Sequence, residues 1–283
     1  MDKAPEAQDD QAARWNGPAG NAWVDSQEVL DRLFRPLEQQ LVDAVTAAAK
    51  SRVLDVGCGT GGTTVAVARA LGAAGRCVGI DISEPMIAAA RDRAAREQVP
   101  AAFVRANAQD HAFEPASFDL IISRFGVMFF DDPVRAFANL RRSGTADAEL
   151  RLIVWRSAED NPFMTTAERT AAPILPDLPP RKPDAPGQFG FANAPRVRSI
   201  LEQSGWIEID IQPIDVECVL PERELVGYVM RLGPVGLALQ DADDRTRERV
   251  VEIVRPAFEP FVRGKDVRFT AACWMVSARR RDV

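Results

Sequence analysis

Apolar residues along this chain fall first into a helical period and then into short blocks. Val29, Leu30, Leu33, Leu37, Leu41, Val42 and Val45 recur three and four apart. That spacing predicts an amphipathic helix from about Ser26 to Lys50, with Ser26 as its N-cap. The ten residues that open the chain, MDKAPEAQDD, are polar and acidic and read as disordered. From Val53 the pattern changes. Val53–Val56, Cys77–Ile80, Ala102–Val104, Phe118–Ser123 and Leu150–Trp155 are short, nearly all-apolar blocks, read as strands. Helical segments separate them, over about 63–71, 84–98 and 133–142. The last opens on Pro133, with Asp131 or Asp132 as its cap. Apolar strands alternating with helices imply a parallel sheet buried on both faces, and right-handed crossovers make it doubly wound. The fold class is α/β.

The alternation stops after Arg156. Residues 157–192 hold Pro173, Pro176, Pro179, Pro180, Pro183 and Pro186. Proline at that density excludes sheet and long helix, so the segment reads as a loop-rich insertion over one sheet edge. A helix from Asn193 to Ser204 ends at Gly205, and a strand follows near Ile207–Ile211, extending toward Val219. Residues 222–263 read as mainly helical, a second insertion. Val267–Ser277 then alternates as a long strand. Because the two tail strands flank the second insertion as a hairpin would, they are expected to pair antiparallel. The organisation is an N-terminal helical lid (1–50), a core (51–156), a loop-rich cap (157–192), a core continuation (193–220), a helical cap (221–265) and a last strand with tail (266–283).

The 283 residues carry a net charge of −6. This balance argues against non-specific binding to nucleic acid or to anionic membrane. No apolar run approaches the roughly 18 residues of a membrane span. The acidic N-terminus lacks the basic start and apolar centre of a secretory signal. Cys58, Cys77, Cys218 and Cys273 form no CxxC pair and read as reduced thiols of a cytoplasmic protein. His111 is the one histidine, so a zinc site with several His ligands is excluded, and no metal is expected.

The chemistry concentrates at residues 57–62, GCGTGG, directly after the first strand. Gly57, Gly59 and Gly62 satisfy G-x-G-x-x-G, which lets backbone approach a ligand closely at a helix N-terminus. Asp81 ends the second strand about 20 residues further on, where a carboxylate accepts ribose hydroxyls. A nucleoside-bearing cofactor at the carboxyl edge of the sheet follows. Asp55 stands two residues before the first glycine and is expected to point toward the turn. An anion there disfavours the diphosphate of a nicotinamide dinucleotide and suits a cation. At about 4 Å and an effective dielectric near 20 the attraction is of order 4 kcal/mol before desolvation. S-adenosylmethionine (SAM), with a sulfonium and an ammonium and no phosphate, fits that sign.

VLDVGCGTGG, followed by VGIDIS and by FDLIISRFGVMFF, resembles the class I SAM-dependent methyltransferases, in particular the ubiquinone/menaquinone-biosynthesis type and its small-molecule relatives. The resemblance covers about 50–155 strongly, and 193–215 with 267–278 loosely. It implies a Rossmann-like, doubly wound, mostly parallel sheet of seven strands, the last antiparallel and beside the fifth, with the two insertions as caps. It implies SAM as cofactor and S-adenosylhomocysteine as product. Carried over by motif, Asp55, Gly57, Cys58, Gly59, Thr60 and Gly61 line the methionine end. Asp81 holds the ribose, and Ile82 and Met86 pack near the adenine. Asn107, Ala108 and Gln109 form the adenine edge, where Asn107 replaces a common Asp but keeps an amide oxygen that accepts. Ser123, Arg124 and Phe125 offer backbone to the ammonium. Relatives usually carry Pro-Gly-Gly before the fifth strand; here the segment reads SGTADAE, which alters a turn remote from the cofactor.

Trp15 and Trp23 are expected in a lid over the cofactor, or else simply packed between helix and sheet. Three residues are weak candidates for a catalytic role: His111, Tyr228 and Arg156. Asn161 shares with Arg156 a place beyond the fifth strand, where acceptors often bind. Met128, Phe129 and Phe130 line an aromatic acceptor pocket or belong to the core. Asp131-Asp132 reads as a metal pair or, more simply, as a helix cap. The chain has no Asp/Asn-Pro-Pro-aromatic motif after the fourth strand, which argues against DNA-base and glutamine substrates. The reading is methyl transfer by in-line displacement to O or C of a small, aromatic or polyketide-like acceptor. The alternative is a SAM-binding scaffold with another chemistry or a non-catalytic role.

Overall fold

The computed structural model describes residues 5–281. Three helices open the chain: α1 (Pro5–Asn16), α2 (Pro18–Asp25) and α3 (Gln27–Ala47). The core follows as β1 (Arg52–Val56), α4 (Gly62–Leu71), β2 (Arg76–Asp81), α5 (Glu84–Glu97), β3 (Ala102–Arg105), β4 (Phe118–Arg124), α6 (Pro133–Ser143) and β5 (Gly144–Trp155). Beyond it lie α7 (Pro162–Ala171), α8 (Ala194–Gln203), β6 (Ile207–Pro221), α9 (Leu225–Arg231), α10 (Gly233–Ala238), α11 (Asp244–Ala257), β7 (Val262–Arg263) and β8 (Asp266–Arg279). None of these helices is long and apolar enough to cross a membrane.

Seven strands form one sheet in the order β3-β2-β1-β4-β5-β8-β6, and the two-residue β7 pairs with β8. β1 to β5 pair in parallel. β8 runs antiparallel between β5 and β6, as the family resemblance implies. Both faces are buried, because helices cover both. Val53 packs with Val45, Val67 and Leu120 on one face. Leu54, Val56 and Ile80 pack with Leu37, Leu41 and Ile121 on the other. The helical stripe of α3 is what buries this side: Leu33, Leu37 and Leu41 are fully buried. Each contributes about 1.5–3 kcal/mol of apolar burial.

Four sequence expectations need correction. Pro5–Asn16 is helical rather than disordered; the first four residues lie outside the described ones. Ser26 stands at the N-cap position of α3 without a side-chain cap bond. There Ser26 N–H donates to the Ala22 carbonyl, so the chain passes from α2 to α3 with almost no break. The proline-dense insertion contains the ten-residue α7, which starts at Pro162, where a missing N–H costs nothing. β5 begins at Gly144, directly after α6, where a turn was expected.

Candidate functional site

The carboxyl ends of β1, β2, β3 and β4 converge where the strand order reverses, the usual ligand position in open α/β sheets. Gly57 (φ +67°) and Gly59 (φ +54°) turn the chain from β1 toward α4. The N–H groups of Gly57 and Cys58 both donate to the Ile80 carbonyl, at 2.8 and 3.1 Å. Gly126, just beyond β4, crosses this turn at backbone distance. A Cβ on Gly57 would sit 2.5 Å from the Gly126 Cα, and one on Gly126 would sit 2.4 Å from the Val56 carbonyl oxygen. Only a glycine pair permits that crossing. Phe125 holds φ +68°, a strained conformation for an aromatic residue. Its ring stacks on Trp155 at 4.5 Å, and its N–H donates to the Ile153 carbonyl.

These ends border an open-mouthed cleft whose space, solvent at the mouth included, is about 850 Å³. Of the residues singled out from sequence, the structure brings Trp15, Trp23, Gly57, Gly59, Asp81, Ile82, Met86, Asn107, Ala108, Gln109, Arg124 and Phe125 to its wall. Asp81 is fixed by two backbone donors: Gly59 N–H to Oδ2 and Ser83 N–H to Oδ1, each 2.9 Å. Each oxygen keeps a further lone pair. Burial pushes its carboxyl above the ordinary value. Asn107 Oδ1 accepts from Gln109 N–H at 3.0 Å, and Gln109 Oε1 accepts from Asp132 N–H at 3.0 Å. The rim is thus a small hydrogen-bonded unit.

Asp55, Cys58, Thr60, Gly61 and Ser123 do not reach this wall. The Asp55 carboxylate lies beneath the turn, accepting from Thr64 Oγ1 at 2.7 Å, and burial raises its pKa to about 6. The expectation that it faces the turn is corrected. Among the described residues, the cleft still has acidic side chains, Asp81 and Asp131, against one cation, Arg124. Arg124 leans toward the Phe34 carbonyl (3.3 Å) and Glu38 (3.9 Å). Cys58 is buried, and that burial holds its thiol protonated. Thr60 is half-buried outside the cleft. A Cβ on Gly61 would meet Ala90 of α5 at 2.8 Å, so that glycine serves helix packing. Ser123 Oγ donates to the Val56 carbonyl (2.7 Å) and accepts from Gly126 N–H (3.1 Å), clamping the crossing from below.

The lid is docked by the Trp15 carbonyl and by the Asn16 side chain. Ser83 Oγ donates to the Trp15 carbonyl at 2.6 Å. Asn16 Nδ2 donates to the Ile82 carbonyl (3.2 Å), and Glu84 N–H donates to Asn16 Oδ1 (2.8 Å). The Trp15 ring meets Phe129 edge-on at 5.2 Å and Trp23 at 6.1 Å. Gln11, also in the cleft wall, has a buried Oε1 with no hydrogen-bond partner. A buried acceptor left without a donor costs about 1–3 kcal/mol. A nucleoside with an amino or hydroxyl group answers that deficit, so the residues present fit SAM. Sequence reasoning missed Gln11, Asn16 and Gly126. Gly126 alone carried a signal, as the glycine after a strand end.

A second, larger cavity of about 1830 Å³, solvent at its mouth again included, lies under the caps. Trp15, Trp23, Phe125 and Phe129 belong to both walls. Tyr228 lines this second space, its hydroxyl set against Met164 Sδ at 3.7 Å, and burial raises its pKa above the ordinary phenol value. His111 and Arg156 line neither cavity. His111 sits edge-on to Phe113 at 4.6 Å. Arg156 pairs with Asp160 (3.0 Å) and Asp215 (2.9 Å) and overlies Trp274. Asn161 is buried and exchanges hydrogen bonds with the backbone of Ala272. Met128 and Phe129 face the second cavity, while Phe130 faces the first. Asp132 caps α6 by accepting from Arg135 N–H.

Residues 53–144 match the family described as methyltransferase domain. The chain is 29% identical over 210 residues to nocamycin O-methyltransferase of Saccharothrix syringae, covering 71% of this chain and 75% of that protein. It is 34% identical over 122 residues to aklanonic acid methyltransferase DauC of Streptomyces sp. strain C5, covering 41% of this chain and 56% of that one. It therefore spans three quarters of the first relative and little more than half of the second. Among solved structures, phosphoethanolamine N-methyltransferase 2 of Haemonchus contortus, in complex with phosphomonomethylethanolamine and S-adenosylhomocysteine, matches with a TM-score of 0.58. That likeness, at 16% identity, covers 96% of this chain and 60% of that one.

Proposed function

Since this chain belongs to the class I SAM-dependent methyltransferases of the small-molecule type, we propose that it methylates an oxygen of a small, largely apolar, ring-bearing acceptor held in the second cavity. The observation that carries this reading is the shared wall: Trp15, Trp23, Phe125 and Phe129 border both spaces. SAM, when bound, supplies a methyl group on a positively charged sulfur, which is a good leaving group. The chain's own residues bind, orient and dry the site. Asp81 offers one free lone pair on each carboxylate oxygen to a ribose. Gly57 and Gly59 expose backbone beside the methionine end, and Ile82, Met86 and Ala108 form an apolar slot for the adenine. Gln11, Asn107 and Gln109 supply polar contacts, with Trp15 and Trp23 excluding water. Such a site accelerates transfer by alignment and by removal of solvent.

The choice of oxygen draws on the name of the relative from Saccharothrix. An apolar, ring-bearing body suits the aromatic side chains of the larger cavity, among them Phe34, Trp155 and Phe163. Two substitutions separate the cavities. Asp81→Ala is expected to weaken S-adenosylhomocysteine binding about tenfold or more by calorimetry, since it removes two charged acceptors. Leu237→Trp fills part of the second cavity. It is expected to leave that affinity within about twofold while abolishing label transfer from methyl-labelled SAM to aromatic hydroxyl and acid acceptors. Undiminished transfer by Leu237→Trp would place the acceptor elsewhere.

A further inference from the structure

The second cavity has an unusual charge for a chain of net charge −6. Among the described residues, its charged wall residues are Arg14, Arg181, Lys182 and Arg231 against a single carboxylate, Glu168. Glu168 Oε2 is already held by the guanidinium of Arg181, whose plane also covers Phe189 at 4.7 Å. Among the described residues, Arg14, Lys182 and Arg231 meet no carboxylate within ion-pair distance. Three uncompensated cations around an apolar hollow attract an anion.

Among the described residues, the same wall has no free group to take up a proton. The histidine of this chain lies outside it, and Glu168 is spent on Arg181. Tyr228 is turned to the Met164 sulfur. An acceptor that must lose a proton on methylation, such as a neutral alcohol, finds no base here. One that arrives ionised needs none.

Both observations lead one way, and the inference rests on the reading of this cavity as the acceptor's. The geometry points to an aromatic carboxylic acid as acceptor, bound as its carboxylate and methylated on that ionised oxygen to a methyl ester. The carboxylate oxygen forms the new O–CH3 bond as the S–CH3 bond breaks, and the electron pair of that bond returns to sulfur. One anion and one sulfonium become two neutral products, and no proton is released. The exposed Lys182 and Arg231 steer the anion in while leaving it solvated, so its lone pair stays nucleophilic.

The test uses 2-naphthoate and anthraquinone-2-carboxylate, each beside its neutral carboxamide. Titrated into the protein loaded with S-adenosylhomocysteine, each acid is expected to bind about tenfold or more tighter than its amide. Lys182→Gln with Arg231→Gln is expected to erase that difference and to leave amide affinity and S-adenosylhomocysteine affinity unchanged. With methyl-labelled SAM, the label is expected in a product that releases labelled methanol in mild alkali, without acidification of a weakly buffered solution. Equal binding of acid and amide overturns the inference, as does an alkali-stable labelled ether with one proton released. Either leaves methyl transfer in this cavity standing. If neither member of any pair binds while S-adenosylhomocysteine does, the assignment of the cavity to the acceptor falls, and the inference falls with it.

Discussion

Asp55 shows at the residue scale how position decides between contact and support. It is the last residue but one of β1 and lies 1% exposed, with Thr64 Oγ1 as its hydrogen-bond donor. Burial is the first cause of its rise to about 6, the Thr64 bond opposes it, and the neighbouring Asp81 and Glu38 add to it. The folded pKa stands above the unfolded value of about 3.9. Below about pH 4 both states carry the proton and Asp55 costs nothing. Between about 4 and 6 the unfolded chain ionises first and stability falls, and above 6 the full cost is present. The difference corresponds to about 3 kcal/mol at most. Asp55→Asn keeps an oxygen for Thr64 and removes the charge. It is expected to raise stability by about 1–3 kcal/mol at pH 7.5 and not at pH 4, by urea unfolding of both proteins. An equal gain at both pH values would mean that shape, not charge, sets the cost. The sign argument for a cationic ligand survives in altered form, because Asp81 and Asp131 border the cleft in place of Asp55.

At the scale of elements, α1 and α2 hold the least legible part of the site. The core strands could be read because each is a nearly pure apolar block, and α8 because Asn193 caps it and Gly205 follows it. α1 has no such stripe: its sequence, PEAQDDQAARWN, is mostly polar. Its end is held by tertiary bonds that no local pattern announces, those of Trp15 and Asn16 to Ile82, Ser83 and Glu84. α7 was hidden for another reason. Proline weighed against helix across 157–192, yet between Pro162 and Pro173 there is none, leaving room for ten helical residues. The turn at 57–62 was legible as a ligand loop, but the direction of each residue was not; that depends on Gly126, 69 residues after Gly57. If the lid gates the cleft, its two side-chain bonds from Asn16 matter to residence time. Each net hydrogen bond is worth about 0.5–1.5 kcal/mol. Asn16→Ala is expected to speed release of S-adenosylhomocysteine about 5- to 50-fold, followed by stopped-flow fluorescence of Trp15 and Trp23. An unchanged off-rate would show that the lid does not control release.

The whole molecule is tied together at Phe163. Its ring, in the first insertion, stacks on Phe269 of β8 at 3.8 Å and meets Phe258 and Phe261, which close the second insertion, at 5.1 and 5.3 Å. One side chain thus joins both caps to the sheet, and it also lines the second cavity. At the surface the ion pair Arg32–Glu224 links α3 to the second insertion and Arg255–Glu222 lies within that insertion, and such bonds add little. Apolar packing at Phe163 therefore bears most of the cap's attachment. Removing the ring leaves a void that packed neighbours fill only in part. Phe163→Ala is expected to cost about 3–5 kcal/mol in urea unfolding. It is also expected to lower acceptor affinity, because a cap less firmly held no longer fixes the hollow beneath it. S-adenosylhomocysteine affinity should change little, since the lining of the first cleft does not include Phe163. A loss below about 1 kcal/mol would show that the caps are held by something else, and α7 would then be an ornament on the sheet rather than its keystone.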